Sequence, residues 1–408
     1  MVNFLDLTED ARRTLIEQVS RKEGMTVKAV EKDWWITLTL HALFSLPMAE
    51  HFIFKGGTSL SKGWKLIERF SEDIDIALAP EAFGRSYVEQ PSHSYVKRLK
   101  KEGCAFSSSQ IREALATKFI QMGVPEGMIH VEAKAVSDKH PDTDPQTLYI
   151  QFPSLFEQNS YLIPPIKVEF SVRSLREPFT TVSIQSFLGE FTESPAYTEV
   201  PFQVRAVEPR KTFMEKLMLL HEKFQTGRGE ADPGERQSRH LFDLFQMAGQ
   251  GIVEQVVNDP DLYARLLEHR RYWVRLSGVN YDVMQLQHLL FLPPSELLST
   301  FQEDYRIMQE EMIYRASPRF DELLDGLRSV NRQFAGMGHG QKIEDVIQQS
   351  IREAEKGSPD LPAVRIALLI SPTSSNQPDA TAFVADLIRG PKGFDFHQLA
   401  VSPKPLKS

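Results

Sequence analysis

Apolar positions along the chain change period several times, and each change predicts an element. From residue 5 to 48 they recur at helical spacing, and Thr8-Glu9-Asp10 places a capping hydroxyl and two acids where a helix start favours them. A second helix is predicted over 27–44, closed by Pro47. A short strand at 51–54 then enters Gly56-Gly57, a helix is expected over 58–70, and Ile74, Ile76 and Leu78 mark the next strand. Residues 80–129 carry polar connectors and two helical patterns. Runs rich in β-branched residues predict strands at 130–135, 147–152, 166–172 and 181–187, with a further extended run over 200–207.

After Pro209 the texture becomes helical. Phe213, Leu217, Leu220 and Phe224 share one face, as do Leu241, Leu244, Phe245 and Ala248, and then Leu286, Leu289 and Leu290. A charged, Gly-containing loop over 226–239 separates the first two of these helices. The last stretch reads as a helix at 343–356, a strand at 364–370, a polar loop and a helix at 380–389. The expected organisation is therefore N-terminal helices over 1–50 packing on an α/β core at 51–208, a helical C-terminal domain at 209–335, and an appended tail or small module at 340–408.

Composition narrows the function classes. With 41% hydrophobic residues the 408-residue chain can bury a large core. A net charge of −8 argues against a surface coated for nonspecific nucleic-acid binding, though it leaves room for a local basic groove. The single cysteine, Cys104, excludes an internal disulfide, and no Cys/His zinc spacing occurs, so a reducing cytoplasm is the expected compartment. The N-terminus lacks the basic start and apolar run of a signal peptide, and the most apolar stretch, Trp34 to Leu46, is too short to span a bilayer and reads as a core helix. A P-loop and a Gly-x-Ser-x-Gly elbow are both absent.

The chemistry concentrates in residues 51–78. Glycines at 56 and 57 would let the backbone approach a bulky anion, and Thr58 and Ser59 add hydroxyl donors at the start of the expected helix. Asp73 and Asp75 lie two apart on the next strand and so share a face. Two adjacent carboxylates repel each other unless a cation relieves them, and oxygen-only ligands favour Mg²⁺ or Mn²⁺. In Ile166-Lys167-Val168-Glu169-Phe170 the alternation places Glu169 on one strand face with Lys167, where it would complete a two-metal site. Any one of these signals alone is ordinarily a turn or a solvated strand edge. Together they point to nucleotidyl transfer.

The block Phe54-Lys55-Gly56-Gly57-Thr58-Ser59-Leu60-Ser61-Lys62 … Arg69-Phe70-Ser71-Glu72-Asp73-Ile74-Asp75 resembles the signature of the AbiEii/AbiGii-type nucleotidyltransferase toxins, within the DNA polymerase β-like superfamily. The similarity spans about residues 20–330. It implies a polymerase β-like α/β (α+β) core with a mixed sheet, a helical C-terminal domain, transfer of a nucleotide from an NTP to an RNA acceptor such as tRNA, and a role as the toxin of a type IV toxin–antitoxin or phage abortive-infection system with an antitoxin from a neighbouring gene. The family's C-terminal motifs match Glu215-Lys216 and Arg239-His240-Leu241-Phe242-Asp243-Leu244. Lys216 flanks the buried face of its helix, where it could reach NTP phosphates, while Arg239 and Asp243 form an i,i+4 pair, with Asp243 expected to orient Lys216, the base or the ribose.

The resulting assignment is an Mg²⁺- or Mn²⁺-dependent enzyme with Asp73, Asp75 and Glu169 as metal ligands. Gly56, Gly57, Thr58, Ser59 and Lys216 would lie on the phosphates, with Asp243 beside them. A protein or small-molecule acceptor is the alternative for the same chemistry, and a non-catalytic nucleotide-sensing or antitoxin-binding module is the alternative without it. Two basic runs, Lys97–Lys101 and Arg265–Arg275, are read either as RNA contacts or as solvated and core-packed helix faces.

Overall fold

A computed structural model describes residues 2–136, 143–156, 165–225, 237–282 and 284–336, together with the backbone of four strands beyond 362. The chain divides into two compact units, Met1–Val330 and Asn331–Ser408. The change of texture at Pro209 therefore falls inside the first unit.

The first unit begins as the sequence predicts. Helix α1 (Glu9–Glu23) is capped by the Thr8 hydroxyl, which accepts from the Ala11 N–H at 3.3 Å, and it closes on Gly24 in the left-handed conformation. Helix α2 (Val27–Phe44) is capped likewise by Thr26 and is buried on nearly every face. Three of its charges are internal, and each ties down a distant segment. Glu31 accepts from the Leu155 N–H, Lys32 pairs with Glu72 at 2.7 Å, and Asp33 pairs with Lys62 at 2.5 Å while accepting from the Phe187 N–H. The connector between residues 59 and 72 is thus bolted to the central helix at both ends.

Seven strands form one mixed sheet: β1 (Phe52–Lys55), β2 (Asp73–Leu78), β3 (His130–Ala133), β4 (Gln146–Gln151), β5 (Ile166–Ser171), β6 (Phe179–Ile184) and β7 (Phe202–Val207), in the order β3-β4-β5-β2-β1-β7-β6. Pairs β2–β5 and β1–β7 are parallel and the rest antiparallel. In β5, Ile166, Val168 and Phe170 enter the core and Lys167, Glu169 and Ser171 face the other way, as the alternation requires.

The expected helix over 58–70 is not formed. A single turn, α3 (Gly56–Thr58), continues as a π-type turn over Ser59–Gly63 and ends. Gly63 lies so close to β6 that a Cβ there would meet Val182 Cγ2 at 2.8 Å, Lys62 is pulled inward to Asp33, and Lys65 takes φ 55°. These tertiary demands override the weak helical pattern. Helices α4 (His93–Phe106) and α5 (Arg112–Gln121) follow the predicted patterns. Gly103 of α4 packs on β5's exit, where a Cβ would meet Val172 Cγ1 at 2.4 Å. Val172 is buried and stiff at χ1, so Gly103→Ala is expected to lower stability by about 1–3 kcal/mol despite its better helix propensity, read as a drop in the urea midpoint at unchanged slope.

Five further helices follow: α6 (Phe187–Phe191), α7 (Pro209–Gln225), α8 (Ser238–Gly249), α9 (Ile252–Val257) and α10 (Pro260–His269), the last running into a π-type turn over Arg270–Val274. Pro209 starts α7, since its missing N–H is no loss in a first turn. Leu286, Leu289 and Leu290 do not build a helix. Only a 3₁₀ turn forms at Leu286–His288, and α11 (Leu298–Glu311) follows. Most of the predicted 226–239 loop lies outside the described residues.

In the second unit, β8 (Ala363–Ile370) pairs antiparallel with β9 (Thr381–Gly390), which also pairs with β10 (Gly393–Phe394) and β11 (Ala400–Lys404). The expected helix at 380–389 is a strand. A short apolar run has no decisive period, and pairing on both edges settled it. The predicted helix at 343–356 and the polar loop at 371–376 lie outside the described residues. Among those residues, no helix is long and apolar enough to cross a membrane.

Candidate active site

The sheet register assembles a row of charge. Lys55 at the end of β1 stands opposite Asp75 of β2, and Asp75 stands opposite Glu169 of β5. Asp73, two residues earlier, is paired with Lys167. The side chains of Asp73, Asp75 and Glu169 line a cavity of about 430 Å³. Its other wall is helical: Glu215 and Lys216 come from α7, Arg239 and His240 from α8, His269 from the end of α10 and Arg270 from the π-type turn that continues it.

The carboxylates are mutually uncomfortable. Burial pushes the Asp75 carboxyl up from the usual range, and Asp73 adds to this against the opposing pull of Lys55. Glu169 is raised for the same reasons, by burial first and then by Asp75 and Asp73. Among the described residues no three such side chains meet at ligand distance. The donor set still fits a hard divalent cation. It is oxygen-only, borders a polar cavity, and carries like charges that a cation would relieve.

The glycines serve closer neighbours than a substrate. Gly56 has φ 78°, and a Cβ there would lie 2.0 Å from Asp75 Oδ2; at Gly57 it would lie 2.7 Å from an Arg69 guanidinium nitrogen. Both residues border the cavity, and their bareness lets Asp75 and Arg69 pack against them. Thr58 and Ser59 are fully buried instead of facing the cavity. The Thr58 hydroxyl bonds to the Asp73 carbonyl oxygen and to Ser71 Oγ, and the Ser59 hydroxyl donates to the Gly56 carbonyl at 2.9 Å. They brace the strand that presents the aspartates, so the expectation that they contact phosphate is corrected. With α3 cut to one turn, their side chains complete the local bonding themselves.

Asp243 does not pair with Arg239. Its fully buried carboxylate takes a two-pronged bond from Arg69, at 2.7 and 2.9 Å, and a third contact from Lys216 at 2.9 Å. Burial alone would raise this acid, but the Arg69 guanidinium and the Lys216 ammonium hold it far below the carboxylate range. Lys216 is lowered from the usual lysine value by burial, with Arg69 and Arg239 adding repulsion and Asp243 opposing. Arg239 turns to the other side and stands 3.9 Å from Asp73. Asp243 therefore contacts Lys216 rather than Arg239, and Arg239 faces the Asp73 carboxylate.

A family model described as Nucleotidyl transferase AbiEii toxin, Type IV TA system, matches residues 40–326. The chain belongs to the AbiEii nucleotidyltransferase toxin family. Neither curated proteins nor solved structures gave a match. The matched span takes in every residue of the cavity wall, from Lys55 to Val274, and stops short of the second unit. As a type IV toxin family, AbiEii implies a cognate antitoxin.

Sequence reasoning overlooked several residues of this AbiEii site. Arg69 stood in the quoted signature without a role; the signal was an arginine between Ile67 and Phe70, both of them buried. Lys55 is placed by register alone. The Arg265–Arg275 run turns out to be largely engaged within the protein: Arg270 with Glu222, Arg271 with Glu268 and Asp282, and Arg275 with the Pro91 carbonyl, while Trp273 is core. Lys97, Arg98 and Lys101 are exposed on α4.

Proposed function

We propose that this protein transfers a nucleoside monophosphate from an NTP to an RNA acceptor, with tRNA the foremost candidate, and that this reaction is its toxic activity. The observation that carries the reading is the in-register placement of Asp75 and Glu169 on adjacent parallel strands, facing Lys216 and Arg239 across one cavity.

Asp73, Asp75 and Glu169 would hold Mg²⁺ or Mn²⁺, which when bound supplies charge to the phosphate oxygens and acidifies the attacking hydroxyl. Lys216 and Arg239 would draw in the triphosphate as point charge and fork respectively. Glu169, with its raised proton affinity, is suited to take the proton as the acceptor oxygen bonds to the α-phosphorus. The bond from that phosphorus to the bridging oxygen breaks, and pyrophosphate leaves with the electron pair. Asp243 keeps Lys216 aimed into the cavity and neutralises part of its charge.

The test is incubation with each α-labelled NTP, Mg²⁺, total RNA and cell lysate. Label in RNA, abolished by EDTA, is the expected result. Label only in protein or small molecules would overturn the RNA acceptor, and label in no fraction would overturn the transfer reaction. Lys216→Met keeps the length of the stem and leaves Asp243 its Arg69 partner. It is expected to cut kcat/KM for NTP by roughly 10²–10³-fold, read in the same assay below saturation.

A further inference from the structure

The cavity has two ends with different electrical surroundings. Asp75 feels Lys55, Asp73, Arg239 and Lys216, whereas His269 feels Lys211, Glu215, Arg270 and Arg173. At the His269 end each cation already has an internal partner. Lys211 is bound by Glu215 and by the Leu175 carbonyl, Arg270 by Glu222, and Arg173 by Asp144. Little charge is left there to attract phosphate.

What this end does have is unspent hydrogen-bonding capacity. His269 and Thr212 both line the cavity and are both buried, yet His269 Nε2 and Thr212 Oγ1 have no hydrogen-bond partner. An unsatisfied buried polar atom is costly, so two in one wall require a reason. The His269 ring is fixed by stacking on Trp273 at 5.5 Å and 10°, and Tyr87 continues the stack. Burial holds its pKa at about 3, which leaves a neutral imidazole able to donate from one nitrogen and accept at the other. Leu266 and Leu219 add apolar wall. Thr212 and Lys216 are one turn apart on α7, so a single ligand can reach both.

From this geometry we infer that His269 and Thr212 form a nucleobase subsite, reading the polar edge of the base whose phosphates lie against Lys216 or of the acceptor nucleotide beside it. An uncharged, flat group with donors and acceptors on its rim matches paired-off charges, apolar flanks and two orphaned polar atoms. The inference rests on the nucleotidyl-transfer reading and assigns that reaction its base selectivity.

The test compares the full chain with His269→Phe, which keeps the ring stack, and with Thr212→Val, which keeps the shape. Binding of ATP, GTP, CTP and UTP is measured by equilibrium dialysis without acceptor, and transfer is measured with each NTP and with RNAs differing in their 3′-terminal base. The expected result is that the wild type prefers one base and each variant loses at least tenfold of that preference, with kcat changed less than KM. Loss confined to NTP binding assigns the subsite to the donor base; loss confined to the RNA series assigns it to the acceptor base. If both variants keep wild-type selectivity in both series, the inference is overturned while the transfer reading stands. If the wild type binds one NTP selectively, loses that in the variants, and transfers nothing, the transfer reading falls and the subsite remains.

Discussion

Replacing Asp75 by Asn is expected to abolish transfer, by at least roughly 10³-fold in kcat, while raising the melting temperature by about 1–3 °C. The two effects share one cause. Asp75 is packed on Gly56, faces Glu169 across the parallel pair, and sits two residues from Asp73. Three carboxylates lining one cavity repel one another unless a cation relieves them, and removing the central charge eases that repulsion without changing shape. On the proposed function the same substitution also removes a metal ligand. Thermal denaturation should also show Mg²⁺ stabilising the wild type and not the variant, because a ligand that binds only the native state raises its stability by mass action. An Asp75→Asn protein that melts lower than wild type, or that still labels RNA, would remove the metal-site assignment.

Asp243→Ala is expected to be the most destabilising single change in the site, by about 3–5 kcal/mol, a large fraction of the 5–15 kcal/mol typical of native proteins. The carboxylate is fully buried and answers two buried cations, Arg69 and Lys216. Truncation strands both. The loss should be smaller for Asp243→Asn, whose amide oxygen can still accept from one of them. Because Arg69 also donates to the Phe70 carbonyl just before β2, loosening it should disturb the aspartate strand as well as Lys216. Urea unfolding followed by far-UV circular dichroism decides the matter. A variant with the wild-type midpoint would show that the three-way contact carries no net stability.

The parts of this fold legible from the chain were those set by local pattern. Thr8 and Thr26 announced their helices, and the alternation around Glu169 gave its face. What stayed hidden was decided by partners distant in sequence. The 58–70 segment reads as helical until Lys62 must reach Asp33 and Gly63 must meet Val182. Arg239 and Asp243 look like an ordinary helix pair until Arg69, far upstream, takes the carboxylate. Thr58 and Ser59 carry the right hydroxyls for phosphate, and only the packing shows that Asp73 and Gly56 use them first.

The Arg69–Asp243 bond also sets a timetable. The aspartates emerge early in synthesis, but the lysine, its carboxylate partner and the histidine of the far wall belong to α7, α8 and α10. At ribosomal speeds of about 5–20 residues per second, the roughly two hundred residues between Asp75 and His269 take on the order of 10–40 s to make. Until then the nascent chain holds the carboxylate cluster with Lys55 but without Lys216 and Arg239, the two groups proposed to draw in a triphosphate. On the proposed function, a chain ended before α8 should therefore be harmless to the cell making it.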